Sequence, residues 1–297
     1  MIQKPFLKWA GGKARVLPHL LPLLPPGKRF IEPFSGSGVV FLNVDYPTVL
    51  AGEVNPDLVL LYTYLKETPE DLIEAARMLF EPENNTAEAY YRLRKEFNET
   101  PATPPRTEEE KAKLGRRAEW HSPPGLWRAA YFVYLNRHGF NGMCRYNSKG
   151  EFNIPFGAYK HPAFPEQAMR AFAARLGNVE FYTGDFSVGL GAAGEGDVVY
   201  CDPPYLPLSA TASFTSYHET PFGRAEQERL VREAVAAAGR GATVLISNHN
   251  TPQAREIYSG ADAISTLSVR RNIAASGASR GKVDELIALY APKPGAR

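Results

Sequence analysis

The chain has 297 residues, of which 44% are hydrophobic and 22% are charged, with a net charge of +2 and two cysteines. The length fits one large domain or two ordinary ones, and the composition is that of a globular protein. Two cysteines exclude a disulfide framework, and no Cys/His spacing resembles a zinc site, so we expect no metal.

The apolar segments are too short to cross a bilayer. The nearest candidate for a signal peptide, Leu17 to Leu24, is broken by Pro18 and Pro22. Signal peptides carry an unbroken apolar stretch. We therefore expect a cytoplasmic protein with no membrane contact, and nothing in the sequence indicates an obligate protein partner.

The N-terminal segment FLKWAGGK, Phe6 to Lys13, combines aromatic residues, lysines and a glycine pair without the periodicity of a core element. One interpretation is a surface anchor at Trp9 with a solvated Lys13. The other is a lid over a bound cofactor, with Lys13 near a cofactor carboxylate.

A glycine-rich turn follows a short apolar strand in FIEPFSGSG, residues 30 to 38, and the apolar run after it predicts a helix. Gly36 and Gly38 allow the backbone to approach a ligand and present N–H groups near a helix N-terminus. The pattern fits neither the phosphate-binding Walker loop nor the dinucleotide fingerprint. With the acid Glu32 nearby, we expect an adenosine without phosphates. A purely structural turn is the alternative.

An acid, Glu53, ends the next apolar run, Val49 to Gly52. At the end of the second strand of a nucleotide-binding sheet, such an acid accepts hydrogen bonds from ribose hydroxyls. An exposed carboxylate, or a cap for a helix beginning at Pro56, is the alternative.

The middle of the chain, from Asp57 to about Leu126, is mostly helical in pattern. Its part from Thr100 to Pro124 is rich in proline and charge and resembles an exposed insertion. An apolar helix, Trp127 to Leu135, then precedes a long polar loop. We predict an inserted helical domain at 57–163, which includes the loop at 135–160, and a discontinuous α/β domain at 1–56 and 164–297.

Strand patterns resume after Gly177 and alternate with helical ones, which favours an α/β fold with a mostly parallel sheet. Ile264 to Val269 and Glu285 to Tyr290 read as a final, antiparallel pair of strands. After the strand Val179 to Tyr182 come Asp185 and Phe186. Asp185 could accept from an adenine amino group and Phe186 could pack on an adenine face, but for this motif alone a simple loop is the favoured interpretation.

The motif CDPPY, residues 201 to 205, ends the apolar run Asp197 to Tyr200. Proline lacks an N–H group and keeps the preceding residue extended, so Pro203 and Pro204 stop the strand and stiffen the turn. A rigid turn carrying Asp202 and Tyr205 suits a planar substrate with N–H groups. A proline stop with Asp202 as a helix cap is the alternative, and the pentapeptide alone leaves both open.

Three segments of the chain, 1–29, 126–160 and 268–283, carry basic residues and almost no acids. Together they would form the electropositive face that nucleic-acid binding requires, but they could equally be unrelated solvated loops.

The order of these motifs resembles that of the DNA adenine-N6 methyltransferases that use S-adenosylmethionine, in particular the bacterial Dam branch, whose members modify adenine in GATC. The resemblance covers almost the whole chain. It rests on KWAGGK (8–13), EPFSGSGVVFLN (32–43), LNRHGFNGMCRYNSKGEFNIPFG (135–157), YCDPPYLPLSATASFTSYH (200–218), LISNH (245–249) and VDELIALY (283–290).

The resemblance implies a doubly wound, mostly parallel, Rossmann-like sheet with an inserted helical target-recognition domain. It also implies roles for individual positions. Expected in catalysis are Asp202, Pro203 and Tyr205. Expected at the cofactor are Trp9, Ala10, Lys13, Phe34, Ser35, Gly36, Gly38, Glu53, Asp185, Phe186 and Asp202. Expected at DNA are Lys8, Arg137, Phe140, Asn141, Met143, Arg145, Asn147, Pro155, Tyr159 and Lys160.

Four positions depart from the family pattern. Glu53 replaces an expected aspartate, Phe140 an expected tyrosine, Met143 an expected leucine, and Ala158 an expected basic residue. The longer side chain of Glu53 should still reach the ribose. The other three changes should alter packing or weaken the grip on the DNA backbone more than they change the sequence that is read.

The implied activity is methylation of adenine N6 in double-stranded DNA, with S-adenosylmethionine as cofactor and GATC as target. Methylation of cytosine N4 is the alternative within enzymes. A DNA-binding regulator on an inactive scaffold is the alternative from another class, and an RNA substrate is a weaker one. The biological role, processivity and oligomeric state do not follow from the sequence.

Overall fold

A computed structural model describes residues 2–101, 124–206, 222–270 and 282–293. The chain divides into two units. The helical unit contains Met1–Gly12 and Asn55–Gly177, and the sheet unit contains Lys13–Val54 and Asn178–Arg297. Most of the predicted insertion at 100–124 lies outside the described residues.

The sheet unit is built on seven strands. These are β1 (Arg29–Glu32), β2 (Thr48–Glu53), β3 (Val179–Thr183), β4 (Asp197–Cys201), β5 (Thr243–His249), β6 (Ala263–Arg270) and β7 (Lys282–Tyr290). Their order across the sheet is β3-β2-β1-β4-β5-β7-β6. Strands β1 to β5 pair in parallel, whereas β7 is antiparallel to both β5 and β6. The predicted fold class, a mostly parallel Rossmann-like sheet, is confirmed, and so is the antiparallel final pair.

The described helices are α1 (Leu17–Leu20), α2 (Pro56–Glu67), α3 (Pro69–Met78), α4 (Ala87–Glu99), α5 (Pro124–His138), α6 (Glu166–Ala173), α7 (Phe186–Ala192), α8 (Arg224–Gly239) and α9 (Pro252–Ile257). In the sheet unit, apolar residues of α7, α8 and α9 form one cluster with side chains of the strands, including Ile31, Val199 and Ile246. All five residues of β4 are buried, as expected for a central parallel strand.

The strand order reverses between β1 and β4. From β1 the chain proceeds outward to β2 and β3, and it then returns to place β4 on the other side of β1. In open α/β sheets, ligands bind outside the carboxyl ends of the strands at such a reversal. The loops that leave β1 and β4 are the glycine-rich turn and CDPPY, so the topology places both motifs at this point.

The glycine-rich turn is not followed by an α-helix, so the predicted helix there is wrong. The chain makes turns and a single 3₁₀ turn, Phe41–Asn43, before it reaches β2. The buried Glu32 carboxylate accepts a hydrogen bond from the Phe41 N–H group (2.9 Å). This contact holds the segment against the end of β1.

The helical unit contains α2 to α6. Every residue of α5 from Ala129 to Leu135 is buried. A helix that is buried on all sides lies at the centre of its unit.

The boundary between the units differs from the predicted one, because the first twelve residues and residues 164–177 belong to the helical unit. Packing explains the difference. The Phe6 ring meets the edge of Phe172 with centroids 5.1 Å apart, and Phe172 stacks on Tyr62 at 4.9 Å. The Asn136 side chain also bonds both the N–H and the carbonyl of Lys8 (2.9 and 2.7 Å).

Candidate functional site

The glycine-rich turn and Glu53 are in direct contact in the sheet unit. Gly36 and Gly38 have φ values of 44° and 77°, in the left-handed region that favours glycine. The Gly36 N–H group donates to Glu53 Oε2 (3.0 Å), and the Ser35 N–H group donates to the Gly52 carbonyl (2.9 Å). Glu53 is therefore not the cap of α2. Asn55 has that role, since its side chain accepts from the Asp57 N–H group.

The CDPPY turn carries Asp202 at the end of β4, where its side chain is 17% exposed. Oδ1 of Asp202 accepts a hydrogen bond from the Ser247 hydroxyl (2.7 Å) and lies 3.0 Å from Lys13 Nζ. Within the described ranges, Oδ2 has no hydrogen-bond partner, so one face of the carboxylate remains open to a further N–H donor. No helix begins directly after Asp202, so the alternative role of Asp202 as a helix cap is wrong.

The Tyr205 side chain is held at both its hydroxyl and its ring. Its hydroxyl donates to Glu285 Oε2 (2.9 Å), Lys13 Nζ lies 4.3 Å from the ring centroid, and His249 meets the ring at 4.8 Å with the planes 79° apart. Burial, reinforced by the nearby Asp202 charge, raises the pKa of Tyr205 well above its ordinary value. The phenol therefore stays protonated and acts as a donor.

Buried polar side chains fix the backbone of the turn. Gln227 on α8 donates to the Pro204 carbonyl (2.8 Å). On β5, Asn248 accepts from the Leu206 N–H group (3.1 Å), and the His249 ring bonds the Leu206 carbonyl (2.8 Å). Sequence reasoning assigned no role to Ser247, Asn248, His249, Gln227 or Glu285. The motifs LISNH and VDELIALY were the available signal for all of them except Gln227.

Acidic side chains lie close together around this turn. Burial raises the pKa of Glu32 well above its ordinary value, and the negative charges of Asp202 and Glu53 add to this effect. The Lys13 ammonium group lies 3.0 Å from Asp202 Oδ1 and 3.9 Å from Glu285 Oε2. The assignment of Glu53 to a ribose and of Lys13 to a cofactor carboxylate stays a prediction.

Asp185 and Phe186 have partners within the protein. The Asp185 side chain caps α7 by accepting from Ser187, and Arg229 binds the same carboxylate with two contacts, at 2.8 and 2.7 Å. Phe186 is buried, stacks on Phe34 at 5.4 Å, and has the Arg229 guanidinium 3.9 Å from its centroid. Their assignment to an adenine stays a prediction.

The remaining predicted cofactor residues divide between the units. Trp9 and Ala10 belong to the helical unit, and the others belong to the sheet unit. Pro203 is buried within the turn, and Ser35 is buried within the glycine-rich turn.

The helical unit presents the predicted recognition loop. Phe140 is 46% exposed, and Asn141 has a φ of 55°. The Asn141 N–H group donates to the Tyr159 hydroxyl (2.8 Å), and Lys8 Nζ lies 4.1 Å from the Tyr159 ring centroid. Arg145, Pro155 and Lys160 are exposed, and Met143 is half-buried. The loop therefore offers aromatic and basic groups on one segment.

Two predicted DNA-binding residues are engaged by the protein itself. The Arg137 guanidinium donates to the carbonyls of Ala163 (3.2 Å) and Phe6 (3.3 Å). The Asn147 side chain accepts from the N–H groups of Lys149 and Glu151 and donates to the Glu151 carboxylate. Their role at DNA stays a prediction.

In the part of the chain that the structure describes, no helix has the length and apolar character needed to cross a bilayer. In the same residues, histidine, cysteine and acidic side chains form no group suited to a metal ion.

Comparison with known proteins gives independent evidence for the family of this chain. Residues 9–273 match the family described as D12 class N6 adenine-specific DNA methyltransferase. The chain is 44% identical over 287 residues to the DNA adenine methylase of Escherichia coli K12, covering 97% of this chain and 95% of the relative. It is 42% identical to that of Vibrio cholerae over 98% and 97% of the two chains, and 43% identical to that of Serratia marcescens over 96% and 97%.

These matches decide between the alternatives that the sequence motifs left open. The family acts on N6 of adenine, which decides against cytosine N4, and its members are enzymes, which decides against an inactive regulator. A methyltransferase of this kind uses S-adenosylmethionine as methyl donor. The chain belongs to the D12 class of N6 adenine-specific DNA methyltransferases.

Proposed function

We propose that this enzyme methylates adenine N6 within GATC in double-stranded DNA, in the cytoplasm, and that Asp202, Pro203 and Tyr205 form its catalytic turn. The observation that carries the proposal is the set of hydrogen-bond partners of the Asp202 carboxylate. Ser247 and Lys13 engage Oδ1, and Oδ2 is left without a partner among the described residues.

An exocyclic adenine amine is a weak nucleophile because its lone pair is delocalised into the ring. Inside a duplex the amine is also inaccessible to the enzyme, so the base must be flipped out at a cost of a few kcal/mol. Asp202 Oδ2 would accept a hydrogen bond from one N6–H group, and the Pro203 carbonyl would accept a hydrogen bond from the other. With both hydrogens held, the nitrogen lone pair points away from the ring plane and towards the methyl donor.

Bound S-adenosylmethionine supplies a methyl group on a positively charged sulfur. The protein contributes alignment, since the two prolines and the contacts from Gln227 and Asn248 fix the turn. Asp202 holds the amine proton until the methyl group has transferred, and it then accepts that proton. A strong base is not needed, because the methylated amine is far more acidic than the starting amine.

Tyr205 would pack against the flipped base. The π-surface of its ring would then favour positive charge on the reacting nitrogen. The cofactor would be held at three points. Lys13 would bind its carboxylate, the turn from Phe34 to Gly38 would enclose its methionine part, and Glu53 would bind its ribose.

Target recognition would belong to the loop at 135–160. Arg145 is exposed and has the planar fork that pairs with guanine O6 and N7, worth about 1–3 kcal/mol of discrimination. Phe140, Asn141, Met143, Pro155 and Tyr159 would contact the bases or wedge between them, while Lys8 and Lys160 would contact the phosphates.

The test is to incubate the enzyme with S-adenosylmethionine and plasmid DNA and to map every modified base. Parallel reactions contain single-stranded DNA or RNA. Methyl groups on adenine N6 in GATC of the plasmid, with no methyl groups on the single strands or the RNA, support the proposal. Modification mainly at another sequence contradicts the GATC assignment, and equal modification of single strands contradicts the duplex assignment.

A further inference from the structure

The recognition arginine, Arg145, lies between two residues that point the other way. Arg145 is exposed, whereas Cys144 is buried and Tyr146 is half-buried. Side chains alternate between the two faces of an extended segment. Here the inward pair faces the first residues of α2, so the conformation of Arg145 depends on what holds its two neighbours.

The stronger of the two contacts joins Tyr146 to Asp57. The Tyr146 hydroxyl donates to Asp57 Oδ2 (2.6 Å), and Asp57 is only 3% exposed. Arg128 on α5 holds the same carboxylate through Nε (2.5 Å) and Nη2 (3.1 Å), and its Nη1 binds the carbonyls of Phe97 and Thr100. The acceptor for Tyr146 is thus a charged group fixed between two helices.

The second contact joins Cys144 to Asn55, whose side-chain amide lies 3.5 Å from the Cys144 sulfur. Asn55 is the N-cap of α2, so its orientation is set by the helix. Both neighbours of Arg145 are therefore tied to the same helix N-terminus.

The Arg145 side chain is directed by Asn153. Nε of Arg145 donates to Asn153 Oδ1 (2.7 Å), and the Arg145 carbonyl accepts from the Asn153 N–H group (3.0 Å). Within the described parts of the chain, Nη1 and Nη2 of Arg145 have no partner. These two groups form the end of the guanidinium that a bidentate contact to a guanine uses.

We infer that Tyr146 and Asp57 are positioning residues for target recognition, because they fix the backbone from which Arg145 reaches a guanine. This inference rests on the proposed role of Arg145. A bidentate contact requires both nitrogens to lie in the plane of the base, so an arginine on a loosened backbone discriminates less well. Burial raises the pKa of Tyr146 well above its ordinary value, so its hydroxyl remains a donor over the working pH range.

The test uses Tyr146→Phe, which keeps the ring and its edge-to-face contact with Phe152 but removes the hydroxyl. Asp57 itself is kept, because its loss would leave the Arg128 guanidinium buried without a counter-ion. Methylation is measured on a cognate duplex and on duplexes with one base pair substituted at each position in turn. We expect discrimination at the guanine read by Arg145 to fall about three- to tenfold, with kcat on the cognate duplex little changed.

Tyr134→Phe is the matched control. It removes another phenol hydrogen bond in the helical unit, from Tyr134 to the Asn84 carbonyl (2.6 Å). If a general loss of stability caused the effect, Tyr134→Phe would lose discrimination as well as melting temperature. We expect Tyr134→Phe to keep the discrimination of the wild type.

Arg145→Ala separates the two proposals. If Arg145→Ala leaves the target preference intact, the proposed role of Arg145 fails. If Arg145→Ala relaxes one guanine position and Tyr146→Phe relaxes none, or relaxes all positions equally, the positioning inference fails. In the double variant we expect no relaxation beyond that of Arg145→Ala alone.

Discussion

Lys13 and Asp202 form a mostly buried ion pair, with Lys13 Nζ 3.0 Å from Asp202 Oδ1 and the two side chains only 8% and 17% exposed. The same ammonium group lies 3.9 Å from Glu285 Oε2 and over the Tyr205 ring. One cation thus contacts the Asp202 and Glu285 carboxylates and the aromatic ring of Tyr205.

Replacing Lys13 should therefore destabilise the sheet unit as well as weaken cofactor binding. Lys13→Met leaves two buried carboxylates without a counter-ion, and we expect the free energy of unfolding to fall by about 3 kcal/mol. Lys13→Arg should restore most of it. Denaturant unfolding and calorimetric titration with S-adenosylhomocysteine measure the two effects. Equal stability of Lys13→Met and wild type would show that the pair contributes nothing.

Asp202→Ala should retain DNA binding and lose methyl transfer by at least about 10²-fold, because the amine loses the acceptor that orients it. Fluorescence anisotropy with a cognate duplex checks binding, and transfer of labelled methyl groups checks turnover. Near-normal turnover would refute the assignment of the catalytic turn.

Glu285 is expected to act through Tyr205. Glu285→Ala removes the acceptor of the Tyr205 hydroxyl and should lower kcat about tenfold, whereas Glu285→Gln keeps a carbonyl acceptor and should stay within about threefold of wild type. Single-turnover kinetics at saturating cofactor compare the two variants. Equal losses in both would indicate that the charge of Glu285, rather than its hydrogen bond, matters.

Gly38 has a φ of 77°, so Gly38→Ala forces an L-residue into the left-handed region. We expect a loss of about 1–2 kcal/mol in the free energy of unfolding and weaker binding of S-adenosylhomocysteine. Gly194→Ala is the control, because a Cβ atom there meets nothing within 4 Å and the backbone is not left-handed. If both variants bind the cofactor product equally well, the glycine-rich turn does not contribute to its site.

The buried His138 should make the free energy of unfolding depend on pH. Burial lowers the pKa of His138 to about 4 from its ordinary 6.5, and its ring bonds the Tyr134 carbonyl (3.0 Å). As the pH falls from about 7 to about 4, the unfolded chain takes up a proton that the folded chain does not. The free energy of unfolding therefore falls, by about 3 kcal/mol in total.

His138→Phe keeps an aromatic ring against Phe80 and Tyr134 and should flatten this pH dependence. His161→Gln, at an exposed histidine, should leave the dependence unchanged. Denaturant unfolding at pH 7.5 and pH 5 compares the three proteins. A slope in His138→Phe as steep as that of wild type would contradict the assignment.

The sequence determined the features that depend on local pattern. Apolar runs such as Val198 to Cys201 predicted the strands, prolines predicted the end of β4, and the order of the motifs predicted the family. Gly36 and Gly38 were correctly assigned to a turn, because a left-handed backbone needs glycine wherever it occurs.

Only the tertiary structure decided which distant side chains meet. Lys13, Ser247 and Glu285 converge on Asp202 and Tyr205 because the strand order brings β4, β5 and β7 side by side, and no local periodicity encodes that order. The missing helix after the glycine-rich turn and the pairing of Asp185 with Arg229 have the same origin. Burial and long-range hydrogen bonds override local propensity wherever a polar group must find its partner far along the chain.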